Sequence, residues 1–352
     1  MTMTELARMA GVSRATVDRV LNGRGQVHPD TEVRIRQLAE AMGYRPNIAA
    51  KSLATRKRQP KIGCIFNRMG NSFFDDVIQG ARSAAAEFET FGVSVDIRQT
   101  RGLEPQEQLS LIEQMAADGI HALALTPINH PDIVDALNRL ARQGIPIVSV
   151  TTDAEGIHHL AYVGCDHEKS GRIAGNLALL FNGGQANSAV VIGSHRMQGH
   201  ALRVKGFKDA EARYPGLTLA CILETGDDDI TTYKEVKRLL TSQPDINSIF
   251  FAAAGARGGI RAVEELGLAG SVTIIAFDLT ESKRDALERG VASAVLCQEP
   301  FRQGYTAVKL LANRLISGES PRSDKCYMKT EIVIRESVED ADGNEGMAVA
   351  VE

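Results

Sequence analysis

The stretch Thr4–Asn22, TELARMAGVSRATVDRVLN, sets the reading of the first domain and, through it, of the whole chain. Leu6, Ala7, Ala10, Val12, Val17, Val20 and Leu21 recur at helical spacing, and Gly11 interrupts the run. A glycine that closes one short helix, with Ser13 able to cap the next, is the pattern of two helices joined by a tight turn. Ala7 and Ala10 are small enough to let the second helix cross close to the first. That second helix, about Arg14 to Leu21, is expected to turn Val17, Val20 and Leu21 inward. Arg14, Ala15, Asp18, Arg19 and Asn22 would then face out. An exposed helix led by arginine, opened by Ser13 and Thr16 and set on a small apolar platform, suits the major groove of DNA. The competing reading is a plain helical hairpin.

After the Gly- and Pro-marked loop GRGQVHPDT, a third helix is expected over TEVRIRQLAEAMG. Asp30 or Thr31 can cap it, and Val33, Ile35, Leu38, Ala39 and Met42 are its apolar positions. Gly43 closes it, and Tyr44-Arg45-Pro46 forces an extended step. The segment 47–58, NIAAKSLATRKR, has helix formers and Asn47 as a cap, but too few apolar residues for a buried helix. It reads either as a basic linker or as a hinge helix that folds only on DNA. In the second case Leu53 would be wedged between base pairs, with Lys51 beside it. Charge is divided to match. Residues 1–61 hold 12 Lys and Arg against 5 Asp and Glu, while the rest holds 28 against 39. A basic head on an acidic body points to a polyanion partner for the head alone.

Residues 4–58 resemble the DNA-binding head of the LacI/GalR family of bacterial repressors. The resemblance is carried by Leu6-Ala7, Ala10-Gly11-Val12-Ser13, Thr16-Val17, Arg19-Val20-Leu21-Asn22, Gly43-Tyr44-Arg45-Pro46-Asn47 and Lys51-Ser52-Leu53, in order and at the right spacing. It implies DNA contacts from Ser13, Arg14, Ala15, Thr16, Arg19, Asn22, Asn47, Lys51 and Leu53. It also implies a homodimer on a pseudo-palindromic double-stranded operator. Asp18, where the family usually has serine, departs from the pattern and bears on which operator is read.

Apolar content of 43% is ample for packed cores. Cys64, Cys165, Cys221, Cys297 and Cys326 form no CxxC pair and no Cys/His cluster, and four of them sit in apolar runs. Neither a metal nor a cofactor is expected. The N-terminus has no signal-peptide core and no run reaches transmembrane length, so a reducing cytoplasm is the expected setting.

From Lys61 onward short apolar runs alternate with amphipathic helices. IGCIF, VSVDI, ALAL and IPIVSV come first; the pattern restarts after Asp153 with AYVG, SAVVIG, LTLACIL, SIFFA and VTIIAF. Strands without polar alternation, each followed by a helix, argue two doubly wound parallel-sheet lobes with a cleft between them. SAVLCQ, a helix over 301–317 and a strand KTEIVI resemble the crossover pieces of type I periplasmic binding proteins. The expected domains are therefore 1–46, helix-turn-helix; 47–60, hinge and linker; 61–335, two-lobed body; and 336–352, acidic tail.

Ligands in open α/β sheets bind beyond the carboxyl ends of the strands. Those ends carry Asn71, Phe73, Phe74, Thr151, Thr152, Asp153, His195, Arg196, His200, Asp227 to Asp229, Asp278 and Gln298, with Arg203 one turn into a helix. Carboxylates, amides and arginine beside aromatic rings suit a sugar, whose hydroxyls need polar partners and whose C–H faces pack on rings. The ribose-binding type of sugar receptor is similar at Asn71, Phe73, Phe74, Arg203, Asp278 and Gln298; Thr151 and Asp153 complete the expected effector set. Thr151-Thr152 replaces a usual Asp-Arg, and Ala252–Ala254 lacks a usual polar group, so the ligand need not be ribose. Arg203 and Arg257 leave an acidic or phosphorylated sugar open. His195 and His200 read as loop histidines, and Asp227 to Asp229 as a solvated turn and cap. The expected function is a sugar-controlled repressor; an activator and a transport receptor are the alternatives. No nucleophile–base set or cofactor fingerprint supports an enzyme.

Overall fold

The computed structural model describes residues 3–21, 27–42, 58–67, 73–102 and 104–339. Three helices come first: α1 (Met3–Ala10), α2 (Arg14–Leu21) and α3 (Pro29–Ala41). Leu6, Ala7, Ala10, Val17, Val20, Ile35 and Ala39 form their common core. Helix α3 begins earlier than expected. Pro29 fills its first position, where the missing N–H costs nothing, and the His28 carbonyl accepts from Thr31 and Glu32, so neither Asp30 nor Thr31 is the cap. Val33 and Met42, expected inside, are exposed, which narrows the buried stripe of α3 to Ile35, Leu38 and Ala39. Gly43 to Pro46 and the whole expected hinge up to Lys57 lie outside the described residues.

The body holds two six-stranded sheets. Lobe 1 has the order β11-β5-β4-β3-β1-β2 and lobe 2 the order β12-β10-β9-β8-β6-β7. The strands of lobe 1 are β1 (Lys61–Asn67), β2 (Ser94–Thr100), β3 (Ala122–Leu125), β4 (Ile147–Val150), β5 (Ala161–Gly164) and β11 (Lys325–Tyr327). Those of lobe 2 are β6 (Ala186–Ile192), β7 (Leu217–Glu224), β8 (Ser248–Phe251), β9 (Thr273–Phe277), β10 (Ala294–Cys297) and β12 (Glu331–Val333). All named pairs are parallel except β10 with β12. The central strands are buried on both faces, which is why their sequences lack polar alternation.

Helices cover both faces of each sheet. In lobe 1 α4 (Phe73–Glu89) and α12 (Pro300–Ser317) share one core, and α5 (Pro105–Ala117) and α6 (Pro131–Arg142) lie in the other. In lobe 2 α7 (His167–Phe181) and α8 (Gln198–Arg213) cover one face, and α9 (Asp229–Ser242), α10 (Ala256–Glu265) and α11 (Glu281–Glu288) the other. The chain crosses between lobes after β5, after β10 and after β11. AYVG is therefore the fifth strand of lobe 1 rather than the opening of lobe 2: Ala161 and Val163 pair with Val148 and Val150. The expected KTEIVI strand is confined to Glu331–Val333, at the sheet edge. Val338, placed in the expected tail, is buried in the lobe 2 core, and its carbonyl accepts from Arg284 Nη1 at 2.8 Å.

Both lobes use the same device to bring a helix pair together. A Cβ at Gly80 or Gly304 would fall on the carbonyl oxygen of Phe301 or Val77, across the α4–α12 contact; one at Gly171 or Gly206 would fall on that of Arg203 or Glu168, across α7–α8. Backbone cannot yield as a flexible side chain can. Gly304→Val is expected to cost about 3 kcal/mol or more, read by urea denaturation.

Candidate functional site

Two regions of the structure present chemistry to a partner. In the head, Gly11 takes φ +64°, and the N–H groups of Gly11 and Val12 return to the carbonyls of Arg8 and Ala7, closing α1. Ser13 Oγ then accepts from Thr16 N at 3.1 Å and caps α2. With Val17 and Val20 in the core, Arg14, Ala15 and Arg19 are exposed on the far face of α2, and Thr16 and Asp18 are half-buried. Arg36 of α3 donates to the Val20 carbonyl at 3.2 Å and so steadies the carboxyl end of α2. Asn22, Asn47, Lys51 and Leu53 lie outside the described residues.

The second region is the cleft between the lobes, about 610 Å³ free of protein atoms with its open mouth included. The strand ends build it. Asn67 ends β1, Thr151 and Thr152 follow β4, Asp227 follows β7, Ala253 and Ala254 follow β8, Asp278 follows β9 and Gln298 follows β10. Helix starts add Phe73 and Phe74 from α4, His167 from α7, and Met197, Gly199, His200 and Arg203 around the first turns of α8. The two rings meet edge-to-face, 5.2 Å between centroids, and give the cleft an apolar wall.

Arg203 is the centre of its electrostatics. It is 5% exposed, donates through Nη1 to the Ala252 carbonyl at 2.6 Å, and lies 3.4 Å above the Phe277 ring. Its Nε is buried without a hydrogen-bond partner among the described residues. Asp278 faces it from a left-handed backbone, φ +65°, and accepts from Gln298 Nε2 at 2.8 Å. Gln303 in turn donates to the Gln298 carbonyl at 2.7 Å, so the amide is held by a second layer. Burial pushes the carboxyls of Asp278 and Asp227 up from their ordinary value, and Arg203 and Lys283 oppose that rise. Lys283, itself buried, donates to the Phe277 and Asp278 carbonyls. Bonds that tie the lobes at the floor of the cleft include Gly199 N to Thr152 Oγ1 at 2.9 Å and His167 Nε2 to the Thr151 carbonyl at 2.8 Å.

The bonds also fix the histidine tautomers. Thr151 O can only accept, so His167 carries its proton on Nε2 and its Nδ1 accepts from the Cys165 thiol, 3.2 Å away. His200 Nδ1 accepts from Ser194 N, which leaves Nε2–H as a donor. Burial first, then Arg203, pushes His200 down to about 3 and His167 well below its ordinary value. At these two histidines the folded chain therefore binds fewer protons than the unfolded one below a pH of about 6.5, and their contribution to stability is lost as pH falls from there. Between pH about 6.5 and 4.5 the parent should lose about 2 kcal/mol more than His200→Gln. Urea denaturation at both pH values checks this.

Of the effector residues expected from sequence, Phe73, Phe74, Thr151, Arg203, Asp278 and Gln298 line the cleft. Asp153 does not. Its carboxylate is turned to His159 Nε2, 2.9 Å away, because the chain has already bent at the left-handed Thr151. Asn71 lies outside the described residues. Arg257 is exposed and paired with Asp229, so it supplies no charge to the cleft. The structure adds Asn67, Thr152, His167, Met197, His200 and Asp227. The acidic triple divides: Asp228 caps α9, Asp229 pairs with Arg257, and only Asp227 faces the cleft.

Comparison with known proteins agrees with both regions. The model of the periplasmic binding protein domain matches residues 62–320, and that of bacterial regulatory proteins of the lacI family matches residues 2–47. The chain is 26% identical to the HTH-type transcriptional regulator DegA of Bacillus subtilis, covering 96% of this chain and 97% of that one. It is 26% identical to catabolite control protein A of Priestia megaterium, covering 96% and 98%. The solved glucose-galactose binding protein GanP of Geobacillus stearothermophilus is 26% identical with a TM-score of 0.72, covering 78% of this chain and 98% of that one.

Proposed function

The chain belongs to the periplasmic binding protein domain family with a lacI-family head, and on that premise we propose that it is a repressor released or recruited by a sugar. It is a DNA-binding transcriptional regulator, not an enzyme. Two heads of a homodimer read a pseudo-palindromic operator, with Ser13, Arg14, Ala15, Thr16, Arg19 and Asn22 at the duplex. Asn47, Lys51 and Leu53 act over its centre. The working divisions are 1–46, 47–60, 61–335 and 336–352, with Val338 belonging to the body by its packing.

The observation that carries this reading is the joint presence of a capped, basic, outward helix and a cleft whose polar groups come from both lobes. A ligand held by Thr151 and Phe73 on one side and by Arg203 and Asp278 on the other binds the closed arrangement better than the open one. It shifts the body toward closure by that difference in affinity, and so moves the segments that lead to the heads. A transport receptor would have no use for the basic head.

The test is selection of genomic fragments by the full-length protein at about 50 and 200 mM salt, with and without sugars. A salt-sensitive, sequence-dependent preference that a sugar changes is expected. Uniform binding at every condition would remove the proposal.

A further inference from the structure

Two buried glutamines join a cleft carboxylate of one lobe to a helix of the other. Gln298 follows β10 of lobe 2 and stands where the chain crosses to lobe 1. Gln303 lies in the first turn of α12, whose Tyr305, Val308 and Leu311 belong to the lobe 1 core. Its neighbour Gly304 meets the Val77 carbonyl so closely that a Cβ would overlap it. The first turn of α12 is thereby seated on α4, the helix that begins with Phe73 and Phe74. Gln303 is fully buried and is not part of the cleft lining.

The direction of the bonds from Gln303 is determined. A backbone carbonyl only accepts, so Gln303 must present Nε2 to the Gln298 carbonyl, at 2.7 Å. The same nitrogen stands 3.3 Å from Gln298 Oε1. That turns Gln298 Nε2 toward Asp278, where it donates to Oδ1 at 2.8 Å. Reversing the Gln298 amide would set N–H against N–H at one end and oxygen against carboxylate at the other. The bond also helps to oppose the rise that burial imposes on the Asp278 carboxyl. Between the two glutamines the backbone turns sharply at Glu299, held at φ +54°. The Glu299 carboxylate accepts from Lys329 N, on a second crossover, at 2.9 Å. Gln303 thus spans a kink at the junction of the lobes, with its backbone fixed to one lobe and its bonds ending in the other.

We propose that Gln303 is a positioning residue that acts from lobe 1: through Gln298 it orients the Asp278 side chain of lobe 2, so that the hold of Asp278 on a ligand depends on how the two lobes are set. This rests on the effector reading of the cleft and adds to it a residue outside the lining. The competing reading is that Gln303 merely satisfies a buried carbonyl.

The test compares the full-length parent with Gln303→Met, which keeps the length of the side chain and removes the donor. The probes are D-glucose, D-galactose, D-ribose and myo-inositol. Thermal shift selects a probe that binds the parent, and calorimetry gives its Kd and the number of sites. Gln303→Met is expected to raise Kd about tenfold with the number of sites unchanged. Gln303→Glu, of the same shape but without a donor when ionised, should do the same if Gln303→Met folds poorly. Fewer competent sites with the parent Kd is the result of a merely structural role and overturns the inference. A second readout needs no ligand: unfolding free energies in urea for Gln303→Met, Asp278→Asn and the double variant. Gln303 and Asp278 share no direct bond, so independent roles give additive losses, which also overturn the inference. A smaller loss from Gln303→Met once Asp278 is replaced supports it. Probes that neither shift the parent nor alter its operator binding remove the effector reading; the urea cycle then still decides whether Gln303 orients Asp278.

Discussion

Arg203→Ala should abolish effector binding and destabilise lobe 2 by about 3–5 kcal/mol. The two losses have one origin. The guanidinium is buried, hydrogen-bonded to the Ala252 carbonyl and stacked on Phe277, and its charge opposes the rise in the pKa of Asp227 and Asp278. Truncation leaves two carboxylates with less counter-charge and one carbonyl without its donor. Arg203→Lys separates the effects. An ammonium restores a positive charge and should recover most of the stability, but it lacks the planar fork and cannot stack on Phe277 while donating sideways. Its urea midpoint should return toward the parent while ligand titration stays flat. A ligand-induced thermal shift that Arg203→Ala leaves unchanged would rule out Arg203 as a binding residue.

Arg203 was legible from sequence because its place is simple: one turn into the helix that follows an apolar strand. Asp278 and Gln298 were legible for the same reason, each standing at the end of a buried strand. Asp227 was not, since three consecutive aspartates look alike until the backbone turns each in a different direction. His167 was hidden at a crossover, where no strand–helix pattern marks it, and Asn67 at the end of the strand itself. Asp153 misled because it lies one residue past Thr152, and the left-handed step at Thr151 sends it to the outer side.

For the fold, every central strand could be seen in the hydrophobic runs, because burial on both faces leaves no polar residue to blur them. Two kinds of element could not. Helix α11, ESKRDALE, has only Lys283, Ala286 and Leu287 inside, so it presents no apolar stripe. Strand β11, KCY, is a half-exposed edge strand of three residues. The assignment of AYVG was lost for a different reason. Periodicity tells that a strand is buried but not which sheet buries it, and only the pairing with β4 decides.

Replacing Arg14 and Arg19 together by alanine is expected to weaken operator binding by about 10²- to 10³-fold. Both side chains are exposed on α2 and absent from the head's core, so folding should change by no more than about 0.5 kcal/mol. The two single variants tell their targets apart. An arginine on a base edge costs about 1–3 kcal/mol and relaxes preference at one operator position; an arginine on a phosphate weakens all sequences alike and lowers the salt slope by about 1. Ile35→Val is the control for a purely structural effect. It removes one methylene group from the buried core of the head and should destabilise it by about 1 kcal/mol. Such a loss lowers the fraction of folded head without altering the contacts that a folded head makes, so sequence preference stays as in the parent. Since the arginines and the cleft share no core, the double variant should keep the full ligand-induced thermal shift. If it keeps full operator affinity instead, the outer face of α2 does not meet the duplex.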